Sequence, residues 1–73
     1  MNDILVKVNV YSNMEIEIAM KQDAKVITLK NRICDHTNII PQMQGLTYKG
    51  HRLQDNKKLI EYGINNGSLI DML

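Results

Sequence analysis

Cys34, Asp35 and His36 are consecutive, and a thiol, a carboxylate and an imidazole are the groups from which a nucleophilic site is built. Such a site needs its thiolate and its base within hydrogen-bond reach. The surrounding residues read as a helix, and there two positions of separation turn Cys34 and His36 about 200° apart around the axis. Their side chains diverge, which leaves a helix-surface thiol and a solvated imidazole. One Cys and two His, without ligand spacing, do not make a metal site. Gly45 and Gly50 flank a short strand instead of opening a helix, so no phosphate cradle is expected either. These residues imply no enzyme, no metal and no cofactor.

The elements that carry them are legible from periodicity. Ile4, Val6, Val8 and Val10 alternate with polar or exposed positions, and after Tyr11-Ser12-Asn13 the alternation resumes at Met14, Ile16, Ile18 and Met20. Period two in both arms predicts a hairpin of half-buried strands. From Val26 the period becomes helical, with Val26, Leu29, Lys30 and Ile33 at i, i+3, i+4 and i+7. Asp23 is near the helix start, but Lys25 offers no capping oxygen. Asn38 is a suitable exit, and Pro41 blocks continuation. Leu46-Thr47-Tyr48 reads as a short strand turning at Lys49-Gly50 into His51-Arg52-Leu53. A polar connector, Gln54 to Lys58, leads to one helical turn at Leu59–Tyr62, with Gly63 at its exit. Ser68 to Leu73 reads as a last strand, with Ile70 and Met72 inward and Leu69, Asp71 and Leu73 outward. Strands, then one helix, then more strands predict an α+β fold.

Seventy-three residues hold one domain and one small core, filled without Trp or Phe by Leu, Ile, Val and five Met. A net charge of +1 gives no electrostatic case for nucleic acid. A single Cys fits a reducing compartment, so cytoplasm or nucleus is expected. No apolar run approaches the ~18 residues that cross a bilayer. MNDILVKVNV lacks the basic start and cleavage site of a signal peptide. Asn66-Gly67-Ser68 has the form of a glycosylation sequon and is read as a turn, because Asn-Gly tolerates positive φ.

Leu46, Tyr48, Gly50, Leu53, Asp55, Leu59, Tyr62 and Ile64 fill, at fixed spacing, the pattern Leu-x-aromatic-x-Gly-x-x-Leu-x-Asp, a polar run, then Leu-x-x-Tyr-x-Ile. This resembles the second half of the ubiquitin fold, and the resemblance extends from Ile4 to Leu73. It implies a ubiquitin-like β-grasp: a mixed sheet of four to five strands wrapped over one α-helix, with the last strand parallel to the first. It also implies a pair between Lys30 and Asp55, which is preferred to a snorkelling lysine whose stem packs while its amine reaches water, because a buried ammonium without an acceptor is costly. The first hairpin turn is about two residues longer than ubiquitin's.

In ubiquitin an apolar patch forms on the outer sheet face, and its positions correspond here to Asn9, Thr47, Asp71 and Leu73. Ubiquitin has leucine, isoleucine, histidine and valine there, and only Leu73 keeps a comparable group. Ordinary ubiquitin-binding modules are therefore expected to bind poorly. Leu5 and Leu69 are expected to be neighbours and, with Leu73, to form a displaced apolar strip edged by Lys7, Glu15, Glu17 and Asp71. Ile27 and Cys34, seven apart on the helix, form a secondary candidate surface. His51 and Asn66 stand where ubiquitin has two chain-building lysines, while Lys7 and Lys30 keep other lysine positions.

The resemblance implies a protein-binding site at Leu5, Thr47, Leu69, Asp71 and Leu73. Gly45 replaces an arginine beside the family's tail, and the sequence to Leu73 has no Gly-Gly, the feature that conjugation requires. The expectation is one domain over 1–73, part of a longer protein in the ubiquitin–proteasome pathway. It would bind a protein partner non-covalently, as a monomer, away from membranes. The alternatives are a modifier whose Gly-Gly tail lies beyond Leu73, and a nucleic-acid-contacting domain of a splicing or RNA-processing protein.

Overall fold

In the computed structural model, which describes residues 3–11 and 14–73, the first alternating run forms β1 (Asp3–Val10) and the second forms β2 (Met14–Lys21). They pair antiparallel from Asp3 opposite Lys21 to Val10 opposite Met14. The turn expected at Ser12 and Asn13 lies outside the described residues. Ile4, Val6, Val8, Val10, Ile18 and Met20 are buried, as the alternation predicts. Met14 and Ile16 depart from it: Met14 is 48% exposed and Ile16 half-buried. Both lie toward the hairpin tip on β2, an edge strand with a neighbour on one side only. Alternation names the side a residue faces; it does not say whether another element covers that side.

The helix α1 (Val26–Thr37) buries Val26, Leu29, Lys30 and Ile33, the four residues of the predicted face. No side chain caps its start. Its first donors are met instead by a distant stretch: Val26 N–H donates to the Lys57 carbonyl at 2.8 Å and Ile27 N–H to that of Asp55 at 3.1 Å. The contact is reciprocal, because Leu59 N–H donates to Ala24 at 2.9 Å and Ile60 N–H to Gln22 at 3.1 Å. The Lys30 ammonium meets Asp55 Oδ1 at 2.6 Å, so the ion pair is formed, with Lys30 nearly buried and Asp55 half exposed. At the other end Asn38 takes the left-handed conformation (φ 62°) and its N–H closes on Cys34 O.

Beyond α1, Pro41–Met43 make one 3₁₀ turn and Gln44 is buried, its Nε2 donating to the carbonyls of Lys30 and Ile39 at 2.8 Å each. This polar core residue carried no sequence signal that set it apart from a surface glutamine. Next come β3 (Leu46–Tyr48) and β4 (His51–Arg52), joined by Lys49 and Gly50, both at positive φ as a tight two-residue hairpin demands. A 3₁₀ turn over Leu59–Tyr62 follows, and the Tyr62 hydroxyl accepts the Gln54 N–H at 2.8 Å. The last strand, β5 (Leu69–Met72), is shorter than the Ser68–Leu73 span expected. It runs parallel to β1 and antiparallel to β3, so the five-stranded sheet has the order β2-β1-β5-β3-β4. Chain and arrangement together are the α+β β-grasp that the resemblance implies.

Two stability outcomes follow. Gly63 ends its 3₁₀ turn at φ 74°, so Gly63→Ala must place a Cβ in the left-handed region and lose about 1–2 kcal/mol, read as a lower urea midpoint at unchanged m. Asp55→Ala strands the Lys30 ammonium and costs about 1–2 kcal/mol, reduced from a fully buried case by the exposure of Asp55. Lys30→Met removes the charge with its partner still hydrated and is the milder of the two in the same titration. The reverse order would mean that the pair is not what orders this corner.

Candidate functional site

The outer face of the sheet is a grid whose rows are set by strand register. One row crosses all five strands: Glu15, Asn9, Asp71, Thr47 and Arg52 stand side by side. Every member is polar, and Asn9 Nδ2 donates to Asp71 Oδ1 at 3.3 Å. The next row holds Glu17, Lys7 and Leu69, and the one beyond holds Ala19 and Leu5. Leu5 is 37% exposed and Leu69 44% exposed, with Ala19 exposed beside Leu5.

Leu5 owes its position to the turn before β5. Its N–H donates to Asn66 Oδ1 at 2.8 Å, and its carbonyl accepts the Gly67 N–H at 2.7 Å. Asn65 N–H donates to Ser68 Oγ at 2.9 Å and Ser68 N–H returns to the Asn65 carbonyl at 3.0 Å, which closes the turn. Asn66-Gly67 is thus a turn, as read, and Gly67 adopts φ 84° there. The turn leads Leu69 into register with Lys7, one residue pair along from Leu5.

The expected strip is therefore only half continuous. Leu5 and Leu69 are diagonal neighbours, but Asp71 lies between Leu69 and Leu73 along β5. Leu73, 76% exposed, belongs to a different corner, where its N–H donates to the Gly45 carbonyl at 2.9 Å near the Arg52 guanidinium. Alternation puts Leu69, Asp71 and Leu73 on one face; it cannot make them contiguous when the middle residue is charged. Ala19, which completes the apolar centre, was missed because a lone alanine between Ile18 and Met20 gives no sign of which residue it stands beside. Arg52, at the end of the polar row, was missed for the same reason.

The other candidates lie apart from this face. Ile27 and Cys34 are half-buried on α1 with Asn31 exposed, and the outward positions of the sheet do not reach them. Cys34 contributes its carbonyl to the helix exit, and His36 is exposed in the last turn. Among the described residues no three His, Cys, Asp or Glu side chains gather to hold a metal ion. Among the described residues no helix is long and apolar enough to cross a membrane.

A family model described as the ubiquitin family matches residues 4–73. The ubiquitin-like protein NEDD8 of Dictyostelium discoideum is 31% identical over 70 residues, which cover 96% of this chain and 91% of that protein. Ubiquitin-like protein 1 of Schizosaccharomyces pombe is 30% identical, covering 96% and 90%. Ubiquitin-like protein 4A of Esox lucius is 32% identical over 81% of this chain but only 38% of its own length. Among solved structures, the UBL domain of Plasmodium falciparum Dsk2 superposes with a TM-score of 0.92 at 28% identity, over 97% of this chain and 96% of that one.

On the correspondence that the resemblance implies, three members of the polar row, Asn9, Thr47 and Asp71, stand at positions of ubiquitin's apolar patch, and this has a measurable consequence. Burying Thr47 or Asp71 against an apolar receptor helix costs roughly 1–3 kcal/mol per unpaired group. A standard ubiquitin-receptor helix should bind the wild-type chain no better than millimolar in a titration followed by NMR. The triple variant Asn9→Leu, Thr47→Ile, Asp71→His should tighten that binding by about tenfold or more. Micromolar binding by the wild type would show that the row is no barrier.

Proposed function

The chain belongs to the ubiquitin family, and from that premise we propose that it is a non-covalent protein–protein interaction module docking through the outer sheet face. The observation that carries this reading is the exposed apolar centre of Leu5, Ala19 and Leu69, held in place by the Asn66-Gly67 turn. Exposed leucines are ordinary singly, but neighbouring ones rimmed by charge mark interaction surfaces. The likeness to the UBL domain of Dsk2 supports a domain tethered within a longer protein. So does the match to ubiquitin-like protein 4A, of which this chain covers about two fifths.

On this reading the domain works as a monomer in the cytoplasm or nucleus and performs no chemistry of its own. Its partner is protein, because Glu15, Glu17 and Asp71 on the docking face would repel a phosphate backbone. The near full-length match to two small relatives favours a second reading, a ubiquitin-like modifier with a Gly-Gly tail beyond Leu73.

The test is a photo-crosslinking side chain placed at Ala19 in the full-length native protein, in its own cells. A discrete protein adduct should form from Ala19 and be lost when Leu5→Glu is added, while the variant's melting temperature stays within a few degrees of wild type. An adduct indifferent to Leu5→Glu, or one formed only from a crosslinker at Asn31 on the helix, would move the site elsewhere. Intact mass and terminal sequence of the same protein separate the two readings. Further domains after Leu73 match a tethered module, whereas a terminal Gly-Gly, free or joined to a lysine, means a modifier.

A further inference from the structure

The outer face is not electrostatically neutral where it matters. In the polar row Glu15 and Asp71 flank Asn9 on its two sides, one strand away each. Glu17 lies one row along on β2, opposite Lys7. Three carboxylates and one ammonium leave this half of the face at a formal charge of −2. Of the other charges, Lys21 pairs with Asp3 at 3.1 Å at the far end of the hairpin, and Arg52 stands at the other end of the polar row, two strands from Asp71, beside Gly45 and Leu73. Glu15 and Asp71 stand two strand spacings apart, about 10 Å, with the Asn9 amide between them. The Asn9 side chain spends a donor on Asp71 and keeps a carbonyl oxygen able to accept. A cationic side chain laid over Asn9 would meet two carboxylates and an amide oxygen. An anionic one would meet repulsion from both flanks.

We propose that the partner of this face is a protein segment carrying an apolar anchor for Leu5, Ala19 and Leu69 and an Arg or Lys that seats over Asn9 between Glu15 and Asp71. The spacing is fixed by β1: four residues separate Leu5 from Asn9, about 13 Å along the strand. A helix lying along β1 covers that distance in about eight residues, so the anchor and the cation fall at i and i+8, about two turns apart. The inference rests on the outer face being the docking surface and adds the sign of the partner's charge. That sign excludes helices with an acidic flank here, a second filter beside the loss of the apolar row.

The test uses two synthetic amphipathic helical peptides, alike except for one position. Both carry a central Leu-Met apolar face; one has Arg eight residues from the anchor and the other Glu. Each is titrated into the isotope-labelled chain at two salt concentrations. The Arg peptide should shift the amides of Leu5, Asn9, Leu69 and Asp71, bind at least tenfold tighter than the Glu peptide, and lose most of that margin in high salt. The double variant Glu15→Lys, Asp71→Lys should invert the preference. Leu5→Glu should weaken both peptides. Equal binding of the two peptides with Leu5 still required would overturn the charge inference and leave the docking face standing. Shifts confined to α1 or to the Ile40–Met43 segment, or no binding of either peptide, would overturn both.

Discussion

The structure depends on the clasp between the start of α1 and the connector that precedes the last 3₁₀ turn. Val26 and Ile27 send their N–H groups to Lys57 and Asp55, and Leu59 and Ile60 send theirs back to Ala24 and Gln22. A helix of this length is marginal alone, and this one has no capping side chain. Its orphan donors are satisfied only when residues thirty positions away have arrived. The Lys30–Asp55 bridge sits on the same seam, so one carboxylate-bearing residue both caps the helix with its carbonyl and neutralises the helix's buried ammonium. Gln44 ties the far side by bridging the carbonyls of Lys30 and Ile39, although its own Oε1 stays buried without a partner among the described residues.

The clasp works on the inner side of the sheet and leaves the outer side free to vary. Inner positions of β1, β3 and β5 hold Val6, Val8, Leu46, Ile70 and Met72, all buried and none replaceable by a charge without unfolding the core. The outer positions between them, Lys7, Asn9, Thr47 and Asp71, touch water and carry no such constraint. The same alternation that builds the core therefore provides a separate surface. On that surface one row is polar throughout, and the apolar residues Leu69, Leu5 and Ala19 lie in the two rows next to it. Fold and recognition are thereby written on opposite sides of the same strands.

How much of this was legible depended on the range of the information. The helix face of Val26, Leu29, Lys30 and Ile33 is a local pattern and was read residue for residue. The strand alternation was read except at Met14 and Ile16, and the exit at Asn38 and the turns at Gly50, Gly63 and Gly67 were legible because positive φ leaves its mark on residue type. The sheet order and the Lys30–Asp55 pair were reached only through the family pattern, since nothing local says which strands are neighbours. Register was harder still. Which outward residues stand side by side depends on hydrogen bonds such as Lys7 to Ser68, 61 positions apart, so Ala19 was overlooked and Leu73 was wrongly joined to Leu69. Met14 was misjudged because the coverage of an edge strand is a property of its surroundings.

The position of β5 bears on how the chain is made. It lies between β1 and β3, yet it is the last strand of this domain in chain order. A chain emerging from the ribosome can close its first hairpin and sample its helix while the flanks of β1 and β3 still lack their common neighbour. Until Leu69–Met72 clear the exit, Val8 and Leu46 have no strand to join them, and the apolar inner face cannot be sealed. Closure is then a late event that joins the first strand of this domain to its last.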